Sequence, residues 1–132
     1  MTILPLHSAR SEILSTLKTD SALTAVVPAS RIWPQKTPAS PTWPFIRIDS
    51  MTATPGRYDC AEGSEITGTA HCFTKVDTSV LDPEAQAMSI CDLMGTALEA
   101  LGECHIGVVQ IIMDPEEADA FHGMVPFRLS KV

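Results

Sequence analysis

Basic side chains are scarce in this sequence, and aromatic ones scarcer still. Its 132 residues hold nine Lys and Arg against sixteen Asp and Glu, a net charge of −7, and only 5% are Phe, Trp or Tyr. The shortage is local. Between residues 58 and 122, Lys75 is the only basic residue beside thirteen acidic ones, a net −12. Residues 1–57 carry six basic and three acidic side chains, net +3, and the last ten residues add Arg128 and Lys131. So acidic a chain is ill suited to gripping nucleic acid by its phosphates. It can lie beside DNA without adhering, or dock on a basic partner.

Other absences narrow the field further. No apolar run approaches the roughly 20 residues that cross a membrane. The opening "MTILPLHSAR" lacks the basic start and long apolar core of a signal peptide, so a cytosolic start without a membrane partner is expected. Cys60, Cys72, Cys91 and Cys104 form no CxxC pair, and a chain of this length needs no disulfides. Four buried, reduced thiols are expected. Neither GxxxxGK nor GxGxxG occurs, so no phosphate loop is predicted.

Some residues with reactive side chains are present. His71-Cys72, Cys91 and Cys104-His105 have the donor atoms for zinc. Neighbours on a strand point to opposite faces, so one ion cannot readily take both members of a Cys-His pair. Cys91 falls on an apolar helical stripe, where a thiol packs as a small hydrophobe. No flanking signature marks a Cys–His nucleophile. His7, His71, His105 and His122 read as solvent-facing or internally satisfied histidines. Asp114, Glu116, Glu117 and Asp119 cluster without the central Gly and final Glu of a calcium loop, and read as a solvated or partner-facing patch. No catalytic residue, cofactor or metal site is predicted.

The length fits one domain, residues 1–132, large enough to bury about two thirds of its unfolded surface. Ser8 can cap a helix over 9–18 with Ala9, Ile13 and Leu17 on one face. Asp20 or Ser21 can cap a short helix in "ALTAVV" that Pro28 ends. Arg31-Ile32-Trp33 forms a short extended piece. Pro34, Pro38, Pro41 and Pro44 then forbid helix or central strand over 34–44, which reads as a stiff extended loop. "FIRIDSMT" alternates as a strand, 54–66 reads as a long Gly- and acid-rich loop, and 67–76 is the next strand.

The clearest element is a helix opened by Asp82-Pro83-Glu84, with Ala87, Cys91, Met94, Leu98 and Leu101 in one stripe and Gly102 just past its end. "HIGVVQIIM", 105–113, reads as a strand buried on both faces or held at an interface. Residues 114–123 form an acidic connection. The last strand points Val125, Phe127 and Leu129 inward, and Pro126 implies an edge position or a bulge. The fold class is α+β: a mixed or antiparallel sheet against one long amphipathic helix, with short N-terminal helices. Trp33 and Trp43 have two roles open to them, as core plugs under the Pro-rich loop or as anchors of a protein interface.

The stretch 20–49 carries a resemblance. Asp20-Ser21-Ala22-Leu23, Arg31-Ile32-Trp33-Pro34-Gln35 and Pro44-Phe45-Ile46 are similar to the D-x-A-L, R-I-[YW]-P-Q and P-[FY]-[IV] segments of small tail-completion, or tail-terminator, proteins of long-tailed bacteriophages and phage-derived particles. The later strand, amphipathic helix and terminal hairpin resemble that family in order. One departure is the strand 67–76, which offers only Phe73 and Lys75 where the family often has an Arg-rich strand with a Trp.

The resemblance implies a virion protein, assembled in the host cytoplasm, that forms a ring, usually of six subunits, at the head-proximal end of the tail tube. Its partners are then itself, the tail tube protein and a head-tail connector or stopper, with DNA passing through and no reaction catalysed. On that reading Arg31, Trp33, Pro34 and Trp43 are interface residues. Asp59, Glu62 and Glu65 in one loop, and Asp114, Glu116, Glu117 and Asp119 in another, face the lumen or a partner. The rival readings are another neck component, such as a connector or stopper, and a small cytosolic enzyme or ligand-binding domain. The last requires a concave pocket with convergent polar groups.

Overall fold

The computed structural model describes residues 6–34, 36–49, 51–58 and 61–131, and the side chains of all of these except 55–58, 61–64 and 131. The chain begins with α1 (Leu6–Thr19), whose Ala9, Ile13 and Leu17 are buried four residues apart. Asp20 then caps α2 (Ser21–Thr24), its carboxylate accepting from the Leu23 N–H at 2.9 Å. The helix is shorter than the expected "ALTAVV" because the bonding tightens at Val26, whose N–H reaches the Leu23 carbonyl three residues back at 3.0 Å. A 3-10 turn, Ala29–Arg31, leads into β1 (Ile32–Trp33).

After the Pro-rich segment come β2 (Phe45–Ile48), β3 (Thr52–Tyr58) and β4 (Ala61–Lys75). The long helix α3 (Pro83–Glu99) starts as expected: Asp82 accepts from the Ala85 N–H at 3.0 Å, and Pro83 occupies the first turn. Its stripe of Ala87, Cys91, Met94 and Leu98 is buried. Gly102 follows at φ +85°, the left-handed conformation that costs glycine least. β5 (Cys104–Ile106), β6 (Gln110–Met113) and β7 (Ala120–Lys131) complete the chain.

The class is α+β. Seven strands form one mixed sheet in the order β1-β2-β4-β7-β5, with β3 beside β4 and β6 beside β7. The β1–β2 pair is parallel and the other pairs are antiparallel. The helices cover one face. There Ile13, Leu17, Ile46, Ile48, Ile66, Ile90, Met94, Leu98, Val125 and Leu129 share one core. Cys72, Cys91 and Cys104 are free and buried, while Cys60 lies outside the described residues. The Cys72 and Cys91 sulfurs meet at 3.7 Å. A Cβ on Gly123 would fall 2.5 Å and 2.7 Å from them, so the β7 backbone can approach this point only as glycine.

Several expectations are corrected. Residues 54–66 are not a loop. Thr52–Tyr58 and Ala61–Thr67 pair residue by residue, and Ser64, Glu65 and Ile66 also pair with Lys131, Ser130 and Leu129 of β7. A ladder on each side supplies the backbone partners that this polar stretch could not signal through apolar side chains. The strand from Phe45 stops at Ile48 rather than running on, and 114–123 is a connection only as far as Asp119.

Residues 105–113 are not one doubly buried strand. They split into β5 and β6 around 107–109, and Val108, Val109, Ile112 and Met113 are exposed. Val125, Phe127 and Leu129 do point inward, but β7 is central rather than an edge. Pro126 is tolerated through an irregularity. Three residues, 107–109, stand opposite two, 125–126, between the Ile106–Phe127 and Gln110–Met124 pairs. The Pro126 carbonyl accepts from the Gly107 N–H at 2.9 Å. The position of its absent N–H therefore faces this break, where no regular ladder bond is lost.

Candidate functional site

The sheet face opposite the helices carries a second, smaller cluster. Alternation along β2, β4 and β7 sends Ile46, Ile48, Ala70, Cys72 and Val125 to the core, and Phe45, Arg47, His71, Phe73 and His122 to the other side. Phe73 stacks on Phe45 with centroids 4.8 Å apart and on His122 at 4.4 Å. Trp43 meets Phe45 edge-on at 5.0 Å. The Arg47 guanidinium lies 5.1 Å above the Phe73 ring, and the Lys75 ammonium 5.9 Å from the Trp43 ring. Phe45 and Phe73 are buried although no helix covers them.

A polar chain runs through this cluster. Nε2 of His71 lies 2.6 Å from the Asp49 carboxylate, and Nδ1 of His71 lies 2.5 Å from Nε2 of His122. With both rings neutral, His71 donates to Asp49 and accepts from His122. His122 is pushed down from 6.5 to about 4, first by burial and then by His71 and Arg47; Asp114 and Asp49 pull the other way.

The sign of the consequence is definite. Between pH 6.5 and 4 the unfolded chain takes up a proton that folded His122 refuses, so the folded state loses stability as pH falls through that window. His122→Gln keeps an N–H for His71 and removes the titration. Urea unfolding at a series of pH values should show a shallower acid slope for this variant; equal slopes would mean that His122 is not the group responsible.

The interface residues expected from the sequence fall in two places. Trp43 plugs the outer cluster, and its carbonyl accepts from the Arg31 guanidinium at 3.3 Å. Trp33 and Pro34 lie half-buried at the β1 edge, Trp33 opposite Arg47 in register. The two acidic segments also differ. Asp59 lies outside the described residues. Glu62 stands on β4 opposite Arg57, and Glu65 approaches Arg128 to 3.9 Å. In the β6–β7 connection Glu117 is paired with Lys75 at 2.6 Å, and the Asp114 carboxylate accepts from the Glu116 N–H. Glu116 and Asp119 point to solvent, with Asp119 at φ 56°.

Sequence reasoning missed the Asp49–His71–His122 chain. Its histidines stand 51 residues apart, and nothing local marks them as partners. The Cys-His neighbours do diverge: Cys72 and Cys104 are buried in the core, His71 turns to the outer cluster and His105 is exposed. Burial, with Glu99 and Glu12 behind it, pushes the Cys104 thiol up to about 11. The Cys72 thiol is held up by its contact with Cys91 and by burial. Both therefore stay protonated near neutral pH. A groove of about 550 Å³ lies farther along the outer face, lined by Thr52, Thr67, Thr69, His105, Pro126 and Arg128. Among the described residues no helix is long and apolar enough to cross a membrane.

Two solved structures share this architecture. A protein in the virion of a native gene transfer agent particle superposes with a TM-score of 0.69 at 14% identity, covering 89% of this chain and 90% of that one. The gp17 protein of bacteriophage SPP1 superposes with a TM-score of 0.60 at 17% identity, covering 96% and 90%. No curated protein sequence matches this one significantly. The family profile described as tail completion protein gp17 matches residues 11–129, nearly the whole chain, and the chain therefore belongs to that family of phage tail structural proteins.

Proposed function

We propose that this protein is a tail terminator, acting as one domain over residues 1–132. It forms a ring, of six copies, at the head-proximal end of the tail tube. The ring ends tube polymerisation and joins the tail to the connector or stopper of the head. DNA passes through its lumen, no reaction is catalysed, and assembly takes place in the host cytoplasm. The family match over residues 11–129 carries this reading. The charge distribution supports it: carboxylates repeated around a ring repel phosphates, so DNA slides without adhering. At least one of the two acidic segments, Asp59 with Glu62 and Glu65 or Asp114 with Glu116, Glu117 and Asp119, lines the channel or its rim.

Electron microscopy of particles made without the protein tests the role. A terminator's loss should leave tubes of uncontrolled length, or finished tails and filled heads that do not join. Tails of normal length beside heads that have leaked their DNA would instead mark the protein as a stopper.

A further inference from the structure

The sheet has two bare edges at the same height. One row crosses it residue by residue: Ile32, Ile46, Cys72, Gly123 and Ile111, on β1, β2, β4, β7 and β6. At this level β1 and β6 are therefore opposite edges, about 19 Å apart at the usual strand spacing. Among the described residues neither has a strand on its outer side.

The two edges differ in chemistry. Residues 21–48, around β1, contain Arg31, Lys36 and Arg47 and no acidic residue, with Asp49 just beyond them approaching Arg47 to 4.0 Å. Residues 104–121, around β6, contain Asp114, Glu116, Glu117 and Asp119 and no Lys or Arg, with Lys75 of β4 paired to Glu117. The β6 edge is also the most apolar exposed stretch. Four of the eight large hydrophobic side chains exposed among the described residues fall within 108–113, with Val108 at 78% and Met113 at 72% exposure. An unprotected apolar edge strand invites pairing with another chain.

We infer that the β6 edge is a docking surface for the β1 edge of a second copy of this chain. The reading rests on the proposed ring and names the surfaces that meet in it. Opposite charges flank the two edges, so the second copy fits where an acidic partner would be repelled. Strand direction agrees. β1 runs with β2, β2 against β4, β4 against β7, and β7 against β6. A copy rotated about an axis along the strands therefore presents its β6 antiparallel to β1. Such a contact joins two different patches, and it closes into a ring when the rotation closes. Trp33 and Pro34 sit at the receiving edge, and Val108, Val109, Ile112 and Met113 at the entering one. The 114–119 connection then lies at the junction between subunits, which leaves Asp59, Glu62 and Glu65 as the carboxylates for the channel. With a net charge of −7 on every copy, contact in the free protein is weak and concentration-dependent.

Zero-length coupling with a water-soluble carbodiimide tests this. The reagent activates a carboxylate, the Lys36 amine displaces it to form an amide, and the reagent leaves as its urea. Concentrated protein, half of it nitrogen-15 labelled, is coupled and digested, and the coupling is repeated on assembled particles. Mass spectrometry should find Lys36 joined to Glu116, Glu117 or Asp119, with the two labels mixed. The mixed labels are what separate a bond between copies from one within a chain, where Glu117 is held on Lys75 and Lys75 lies over Trp43 of the same Pro-rich segment as Lys36. Met113→Asp changes a side chain already in solvent, so the fold should persist while the yield falls about tenfold, as for loss of a modest interface anchor. Absence of the Lys36 link in both free protein and particles overturns the β1–β6 contact. If mixed-label links join other surfaces, this contact fails while the ring stands. If tails made without the protein are normal in length and joining, the terminator reading falls instead.

Discussion

Leu98→Ala should lower the free energy of unfolding by about 2–5 kcal/mol, the range for removing a large aliphatic side chain from a packed core. Leu98 has no exposed surface. It lies on the α3 stripe with Ala87, Cys91 and Met94, and α3 packs chiefly on β7 and β4, the two long strands at the centre of the sheet. These elements cannot collapse around a void without disturbing the ladder between them, which favours the upper part of the range. Stability of this size is a large share of what a domain possesses. Urea unfolding followed by circular dichroism gives the number. A loss below about half a kilocalorie, the usual size for a surface substitution, would mean that the stripe is not packed as described.

The two tryptophans should separate when each is replaced by alanine. Trp43 closes the outer cluster, edge-on to Phe45 and Phe73 and beneath the Lys75 ammonium. Its removal opens that cluster and should destabilise the isolated protein, by less than the 3–5 kcal/mol of a fully buried Trp because the ring is only half-covered. Trp33 stands at the β1 edge, and among the described residues no ring contact or side-chain hydrogen bond ties it to the fold. Trp33→Ala should leave thermal unfolding nearly unchanged and abolish joining of tails to heads, since a half-buried Trp at an interface is a common anchor of binding energy. Thermal melts and complementation of particles lacking the protein read the two effects. If Trp33→Ala unfolds the chain, it is a core plug and the edge must recruit its partner by other residues. If both variants fold and join tails normally, neither ring is an anchor.

The two roles weighed for these residues could not be separated from sequence. Both are followed directly by a proline and border the same Pro-rich stretch, and nothing in their neighbours sorts one from the other. What divides them is which strand lies alongside, and the chain alone does not display that.

Elements specified over short range were legible. The Asp82-Pro83-Glu84 start, the α3 stripe, the buried faces of α1 and β7 and the left-handed Gly102 all depend on residues within a few positions, where a period of 3.6 or 2 leaves a visible trace. The α+β class and the resemblance over residues 20–49 followed from such traces. The hairpin of β3 and β4 did not, because its polar strands are held by ladders to one another and to β7, more than fifty residues away. The same holds for the break between β5 and β6, set by Pro126 across the sheet, and for the bond between His71 and His122. The exposed apolar run at β6 was visible as composition, yet its apolar character alone could not distinguish a buried strand from a docking edge. Local periodicity reports which face of an element is apolar. Which other element, or which other chain, covers that face is decided only when distant strands pair.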